Sequence, residues 1–224
     1  MRTIVRLLPE SFRDKHRDTW NRSRFVLWNV YGKLIRLAWR PPLPSPSNGV
    51  NLQLGCGPIE HPDFINVDAS YFPHVHYMRG LDDLSPFASG SVDLIYASHC
   101  LEHYSYRETE SVLAEWYRTL KPGGCLRLSV PDFDVLSKAF QESGWNIEAV
   151  EVYVLGGHGN TYNCHYALFN HERLSERLRA AGFREVRRWQ PNQDQFSTMD
   201  DASRTMIRIN GRDVPLSLNL EGIK

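Results

Sequence analysis

The stretch NLQLGCGPIEHPDFINVD, residues 51–68, constrains the fold of this 224-residue chain more than any other. An apolar run breaks on Gly55 and Gly57, and thirteen residues after Gly55 a second short run ends in Asp68. A strand that closes on G-x-G brings a ligand against bare main chain, because no side chains intervene at those positions. A dinucleotide-binding turn would need a third glycine where Glu60 stands, and an acid about twenty residues on. Both conditions fail, and a carboxylate beside a pyrophosphate would repel it. The phosphate-cradling G-x-x-x-x-G-K-[ST] pattern is absent. The turn favours a cationic ligand instead.

Around this stretch the chain alternates. Strands are predicted at 50–55, 65–68, 74–78, 92–97 and 125–130, with helices at 106–120, 133–155 and 170–181. Strands followed by helices imply a parallel sheet with crossovers. KPGG at 121–124 is predicted to be the turn that closes the helix at 106–120, since Pro122 cannot continue it. The tail differs: 183–190 and 214–224 read as strands separated by a looped, polar segment, so they should pair antiparallel at one edge. Only about ten residues, CGPIEHPDFI, join the first two strands, where a parallel crossover usually needs a dozen or more. An irregular connection that leaves one sheet face partly uncovered is expected there.

Residues 1–45 form a separate extension ahead of a domain at 46–224. Between residues 10 and 40, Phe12, Trp20, Phe25, Val26, Trp28, Val30, Tyr31, Leu34, Ile35 and Leu37 recur at helical spacing, and RPPLPSPSNG at 40–49 then stops any helix. Residues 1–40 hold ten Lys/Arg against three Asp/Glu, leaving sixteen against twenty-three in the remainder, so a basic arm precedes an acidic body. Such an arm covers the exposed sheet face or meets an anionic membrane surface. Nucleic acid is disfavoured, because a polyanion crossing the acidic body would be repelled. No apolar run approaches the ~20 residues that span a bilayer. Cys56, Cys100, Cys125 and Cys164 lack paired spacing. A cytoplasmic protein, peripheral to the inner face of a membrane, is the expectation.

LQLGCG, INVD, SVDLIYASHCLEHYSYRE, WYRTLKPGGCLRLSVPDFD and LSERLRAAGFREV occur in the order and spacing of class I S-adenosylmethionine-dependent methyltransferases. The chain resembles the small methyltransferase-domain proteins associated with glycan and surface-polysaccharide biosynthesis. The likeness runs over residues 50–224 and implies an α/β, Rossmann-like three-layer sandwich. Its sheet would be mostly parallel and seven-stranded with an antiparallel last strand, preceded by the helical extension. It implies S-adenosylmethionine as cofactor, with Leu54, Gly55, Cys56 and Gly57 beneath its methionine and ribose, and Asp68 and Ala69 at the ribose hydroxyls. Leu81, through its backbone, and Asp82 would meet the adenine, and Ser98 and His99 would line the mouth. The acceptor would be a small molecule or a carbohydrate methylated at oxygen. A non-catalytic scaffold in a glycan-assembly complex is the alternative.

A hydroxyl acceptor needs a base, and histidine suits it because it titrates near neutrality. His165 in the loop GGHGNTYNCHY is the first candidate, then His99 and His158. His99 and His103, four apart, with His158, Cys164 and His165, also invite a metal reading. H-E-x-x-H is absent and no closed set of four ligands is visible, so no metal is predicted.

Overall fold

The computed structural model describes residues 10–45 and 49–224, with side chains from residue 21 onward, so Phe12 and Trp20 of the predicted stripe lie outside the described side chains. Strands β1 (Asn51–Leu54), β2 (Ile65–Asp68), β3 (Tyr77–Met78), β4 (Val92–Ser98), β5 (Leu120–Pro131), β6 (Glu185–Arg188) and β9 (Ser217–Ile223) form one seven-stranded sheet, in the order β3-β2-β1-β4-β5-β9-β6. β9 runs antiparallel to both neighbours, β5 and β6, and the other pairings are parallel. The order reverses between β1 and β4, and open α/β sheets bind ligands beyond the strand C-termini at such a point. Gly55, Gly57, Ser98 and His99 all emerge there.

One face of the sheet carries the main core. Leu52, Leu54, Val67, Ile95, Ala97, Leu126, Leu128 and Val130 pack on Val112, Leu113 and Trp116 of α2 (Thr109–Thr119) and on Leu174 and Leu178 of α5 (His171–Ala180). Burial of such side chains is worth about 1.5–3 kcal/mol each and dominates what holds the layers together. The buried indole of Trp116 donates from Nε1 to the Leu81 carbonyl at 2.7 Å, which pins the loop after β3 to α2.

The connection from β1 to β2 is irregular, as its ten residues require, with no helix between Leu54 and Ile65. The arm does not cover the second sheet face. Residues 189–204 do so: Phe64, Leu94, Tyr96, Trp189 and Met199 form a small cluster there, and the Tyr96 hydroxyl donates to Asp201 Oδ2 at 2.8 Å. Much of this face is polar, with Asn66, Ser129, Asn219 and Glu221 buried on it, which is why a hydrogen-bonding loop suits it better than an apolar helix.

The arm helix α1 (Glu10–Ala38) docks instead on the chain just after β2. Trp28 Nε1 donates to the Tyr71 carbonyl, Asn29 Oδ1 accepts from Tyr71 N, and Arg36 donates to the carbonyls of Phe72 and Pro73. Gly32 makes the approach possible, since a Cβ there would stand 2.2 Å from Tyr71 Cγ.

Three local expectations change. KPGG is not a turn between helix and strand: β5 begins at Leu120, opposite Val92, and Cys125 lies opposite Leu94, so residues 121–124 form a bulge inside β5. The predicted helix 133–155 divides into α3 (Phe133–Glu142), a 3-10 turn (Ile147–Ala149) and α4 (Glu151–Leu155). Gly144 and Trp145, at φ +76° and +66°, make the break. The segment between the last sheet strands is not merely a loop, because β7 (Met206–Ile209) and β8 (Arg212–Pro215) form a hairpin on Asn210-Gly211, whose φ values of +49° and +75° fit a two-residue primed turn.

Candidate functional site

β1 is buried along its whole length, and its ladder to β2 continues one step beyond the strand, through Gly55 N to the Val67 carbonyl at 2.9 Å. The main chain then turns with Gly55 at φ +63° and Gly57 at φ +54°, which side-chain-bearing residues rarely adopt. The two glycines serve different ends. A Cβ on Gly55 would meet Cys100 Cβ at 2.9 Å and Leu81 Cδ1 at 3.3 Å, whereas one on Gly57 would meet nothing within 4 Å. On its Cβ side Gly55 therefore admits the protein's own Cys100 and Leu81. Gly57 faces open space.

Asp68 ends β2 and turns toward that space. Its Oδ2 accepts from Gly57 N at 2.8 Å and its Oδ1 from Ser70 N at 2.6 Å. Burial pushes its carboxyl above the usual carboxylate range, against the two N–H donors that favour the charged form. Each oxygen keeps a lone pair for a ligand hydroxyl. Cys56, beside it, is buried, its thiol pushed up by burial and by the Asp68 charge. Leu54 is buried and its carbonyl accepts from Cys100 Sγ at 3.7 Å. Ala69 follows Asp68, half-buried.

Leu81 and Asp82, the residues expected at the adenine, lie in the loop after β3. Leu81 N donates to the Tyr104 hydroxyl at 2.8 Å and its carbonyl is taken by Trp116, so both backbone groups are committed within the protein. Asp82, exposed and joined to the Tyr104 hydroxyl through Oδ1 at 3.1 Å, retains acceptor capacity.

Ser98 and His99 end β4. Ser98 Oγ is buried and has no hydrogen-bond partner among the described residues. His99 takes φ +51°, a left-handed conformation that costs a non-glycine residue of order 1–3 kcal/mol. Its Nε2 lies 2.8 Å from Ser217 Oγ, which itself donates to the Ala202 carbonyl at 2.6 Å. The histidine must therefore donate from Nε2, leaving Nδ1 as an acceptor, 3.5 Å from Glu102 Oε1. Burial, then His165 and His103, lowers His99 to about 3, so it is a poor base.

Beyond it, Leu101–His103 forms a 3-10 turn, and the Glu102 carbonyl accepts from Tyr166 N at 2.8 Å and Ala167 N at 3.3 Å. Those two bonds bring the glycine-rich loop onto the end of β4. His103 and His165 then stand with ring centroids 5.0 Å apart. His165 donates from Nδ1 to the Tyr153 carbonyl at 3.0 Å, and burial with the neighbouring His103 lowers it to about 4. Of the three predicted bases, His158 is not brought in: it is exposed and caps α4 through Nε2 to the Leu155 carbonyl at 2.9 Å. His165 also walls an open groove of about 360 Å³ with Tyr106, Tyr166, Leu168 and Arg173. Sequence reasoning missed Glu102, which is 1% exposed, as a member of this cluster. Its signal was an acid next to a histidine immediately after a strand.

Residues 62–128 match the family described as methyltransferase domain, which is less than a third of the chain. An uncharacterized methyltransferase of Synechocystis is 34% identical over 56 residues, 25% of this chain, and the match spans only 26% of that relative's length. A SAM-dependent methyltransferase of Thermotoga maritima superposes with a TM-score of 0.51 at 19% identity, over 96% of this chain and 97% of that one. The chain therefore has the Rossmann-like fold of the S-adenosylmethionine-dependent methyltransferases, with its family match lying across β2 to β5.

Proposed function

We propose that this chain is an S-adenosylmethionine-dependent methyltransferase acting on oxygen of a small-molecule or carbohydrate acceptor. The observation that carries the reading is Asp68: a buried carboxylate held by two backbone N–H groups at the tip of β2, facing the open side of Gly57. When bound, the cofactor supplies a sulfonium methyl for in-line displacement, a reaction that needs alignment and exclusion of water more than covalent help. Asp68 would accept from the ribose hydroxyls, Asp82 would lie at the adenine, and Ser98 and His99 would close the mouth. The groove offers Tyr106 and Tyr166 as flat faces for a sugar ring and Arg173 for a polar substituent. His165, with Nε2 free of its own backbone bond, would accept a hydrogen bond from the acceptor hydroxyl and orient it, because burial lowers it to about 4, too far below neutrality for a strong base. Calorimetry with S-adenosylmethionine and S-adenosylhomocysteine tests the reading. One saturable site for each is expected; no heat and no thermal shift with either compound removes it.

The partner of the arm belongs to the same reading. On α1, Val26, Leu27, Val30, Leu34 and Leu37 are 51–85% exposed. At 100° per residue they fall within one 100° stripe, with Arg22 and Lys33 along its border and the docked residues Asn29, Gly32 and Arg36 on another side. An apolar stripe edged by cations suits an anionic membrane surface. Cosedimentation with phosphatidylglycerol-containing vesicles is the measurement. The double variant Leu34→Glu/Leu37→Glu should lose vesicle binding at least tenfold and keep S-adenosylmethionine affinity; unchanged cosedimentation would rule the membrane out.

A further inference from the structure

One acid and two imidazoles meet at the end of β4 in a way that the binding of a methyl donor does not account for. Glu102, His103 and His165 each offer a ligand atom, and these atoms lie within 4.8 Å of one another. The tautomers follow from hydrogen bonds. His103 Nδ1 lies 3.0 Å from the Cys164 carbonyl and His165 Nδ1 lies 3.0 Å from the Tyr153 carbonyl, and a nitrogen facing a carbonyl oxygen must carry the proton. In both rings Nε2 is then a lone-pair donor. This is the arrangement in which metal-bound histidines are commonly held, with the far N–H anchored on a main-chain oxygen.

Glu102 completes the set. It is 1% exposed, and neither carboxylate oxygen has a hydrogen-bond partner among the described residues. Its nearest polar neighbour, His99 Nδ1 at 3.5 Å, is itself an acceptor once Nε2 has donated to Ser217. With Glu102 ionised, its carboxylate and the two imidazole lone pairs compete for one space. Buried acceptors without a donor are costly, by about 1–3 kcal/mol for a neutral group and more for a charged one. A cation at their centre removes the conflict. Donor atoms around one ion, each about 2.0–2.2 Å from it, stand roughly 3–3.5 Å apart. Closing from the present spacing takes a shift of about 1 Å in side chains whose backbones are already joined by the Tyr166 and Ala167 bonds.

We propose that Glu102, His103 and His165 bind a divalent first-row transition ion. Two imidazoles and one carboxylate suit manganese, iron, cobalt or zinc, whereas magnesium and calcium prefer oxygen throughout. Three protein ligands leave coordination positions open for water or an acceptor hydroxyl. Resting on the methyltransferase reading, the ion would lower the acceptor hydroxyl's pKa, with His165 acting as a ligand rather than as a free base. The sequence shows only the pair His99 and His103 at helical spacing. Of the residues that invited a metal reading, the fold brings together His103 and His165, and it puts Glu102 in the place of His99.

The test uses the full chain, stripped with chelator and titrated with cobalt(II), followed by visible absorption and calorimetry. One equivalent is expected to bind the wild type with d–d bands of a nitrogen- and oxygen-ligated ion. His103→Ala and His165→Ala should each weaken it at least tenfold, as should Glu102→Gln if that variant folds; His165, on a half-buried loop, carries the test if it does not. Absence of a saturable equivalent, or equal cobalt affinity in wild type and His165→Ala, overturns the site and leaves a proton shared by Glu102 and His99 as the cation. S-Adenosylmethionine calorimetry on the same samples separates the two readings. Cobalt binding without cofactor binding would retain the metal site and remove the methyltransferase, and the reverse result would do the opposite.

Discussion

Asp68→Ala is expected to weaken S-adenosylmethionine by roughly 10- to 150-fold, because hydrogen bonds to a charged group contribute about 1.5–3 kcal/mol. Two losses combine in that figure. The ribose hydroxyls lose their acceptor, and the Gly57 turn loses the 2.8 Å bond that fixes it under the ligand. Asp68→Asn should lose less, since an amide oxygen can still accept from one donor. The pH dependence has a definite sign. Burial raises the Asp68 carboxyl in the free protein, opposed by the Ser70 and Gly57 N–H groups, and the ionised form is the one that accepts from a diol. Affinity should therefore decline on acidification from a higher pH than an ordinary aspartate, with its reference value near 3.8, would dictate. Calorimetry of wild type and both variants across pH 4–8 measures this. Unchanged affinity in Asp68→Ala would show that the carboxylate only ties the turn together.

How much of this site was legible depended on how local each signal is. Gly55, Gly57 and Asp68 could be read because a strand end, a left-handed turn and the next strand end lie within one short stretch. The missing helix between β1 and β2 could be read for the same reason, as chain length alone forbids it. The division of labour between the glycines could not: Gly55 is fixed by Cys100, which arrives from the end of β4. The bonds that Leu81 makes to Tyr104 and Trp116 could not be read, because those residues belong to segments that reach it only in the folded chain. The Glu102–His103–His165 cluster depends on backbone bonds across sixty residues of sequence, which no periodicity records. Asn210-Gly211 is the opposite case. Its hairpin signal is local and strong, and the polar residues around it hid it.

The polar second face of the sheet also governs stability, and Arg127→Met should expose this. Arg127, 8% exposed, lies directly across from Glu221 in the β5–β9 register, and Glu221 lies across from Arg187 in β6. Arg127 Nε donates to Glu221 Oε2 at 3.2 Å, while its two terminal nitrogens grip Asp194 at 2.8 and 2.5 Å. Asp194 in turn caps the 3-10 turn Gln195–Ser197, part of the segment that covers this face. Removing Arg127 leaves Glu221, 4% exposed, with Arg187 Nε at 2.5 Å as its one cationic partner among the described residues and the weak Cys125 thiol donor at 3.7 Å, and loosens the covering segment from the sheet. Breaking a buried pair by deleting one partner costs about 3–5 kcal/mol. For a chain of this size that lowers Tm by roughly 6–20 °C. Arg187→Ala, whose side chain is 56% exposed, should shift Tm far less than Arg127→Met, because solvent screens an exposed pair. Arg127→Met/Glu221→Leu should recover much of the loss, because an apolar pair needs no counter-charge. The bond from Arg127 holds the Asp194 carboxyl below its ordinary value of 3.8, so this stabilisation is present above that pH and disappears as pH falls through the depressed one. Melting curves of wild type and Arg127→Met should therefore converge below about pH 4, near the reference carboxylate value. A constant gap at every pH, or a shift under 2 °C at neutrality, taking about 1 kcal/mol as the threshold, would mean that the covering segment is held by contacts other than Arg127, among them Phe196, Met199 and the bonds of Tyr96, Ser217 and Asn219 to residues 201–203.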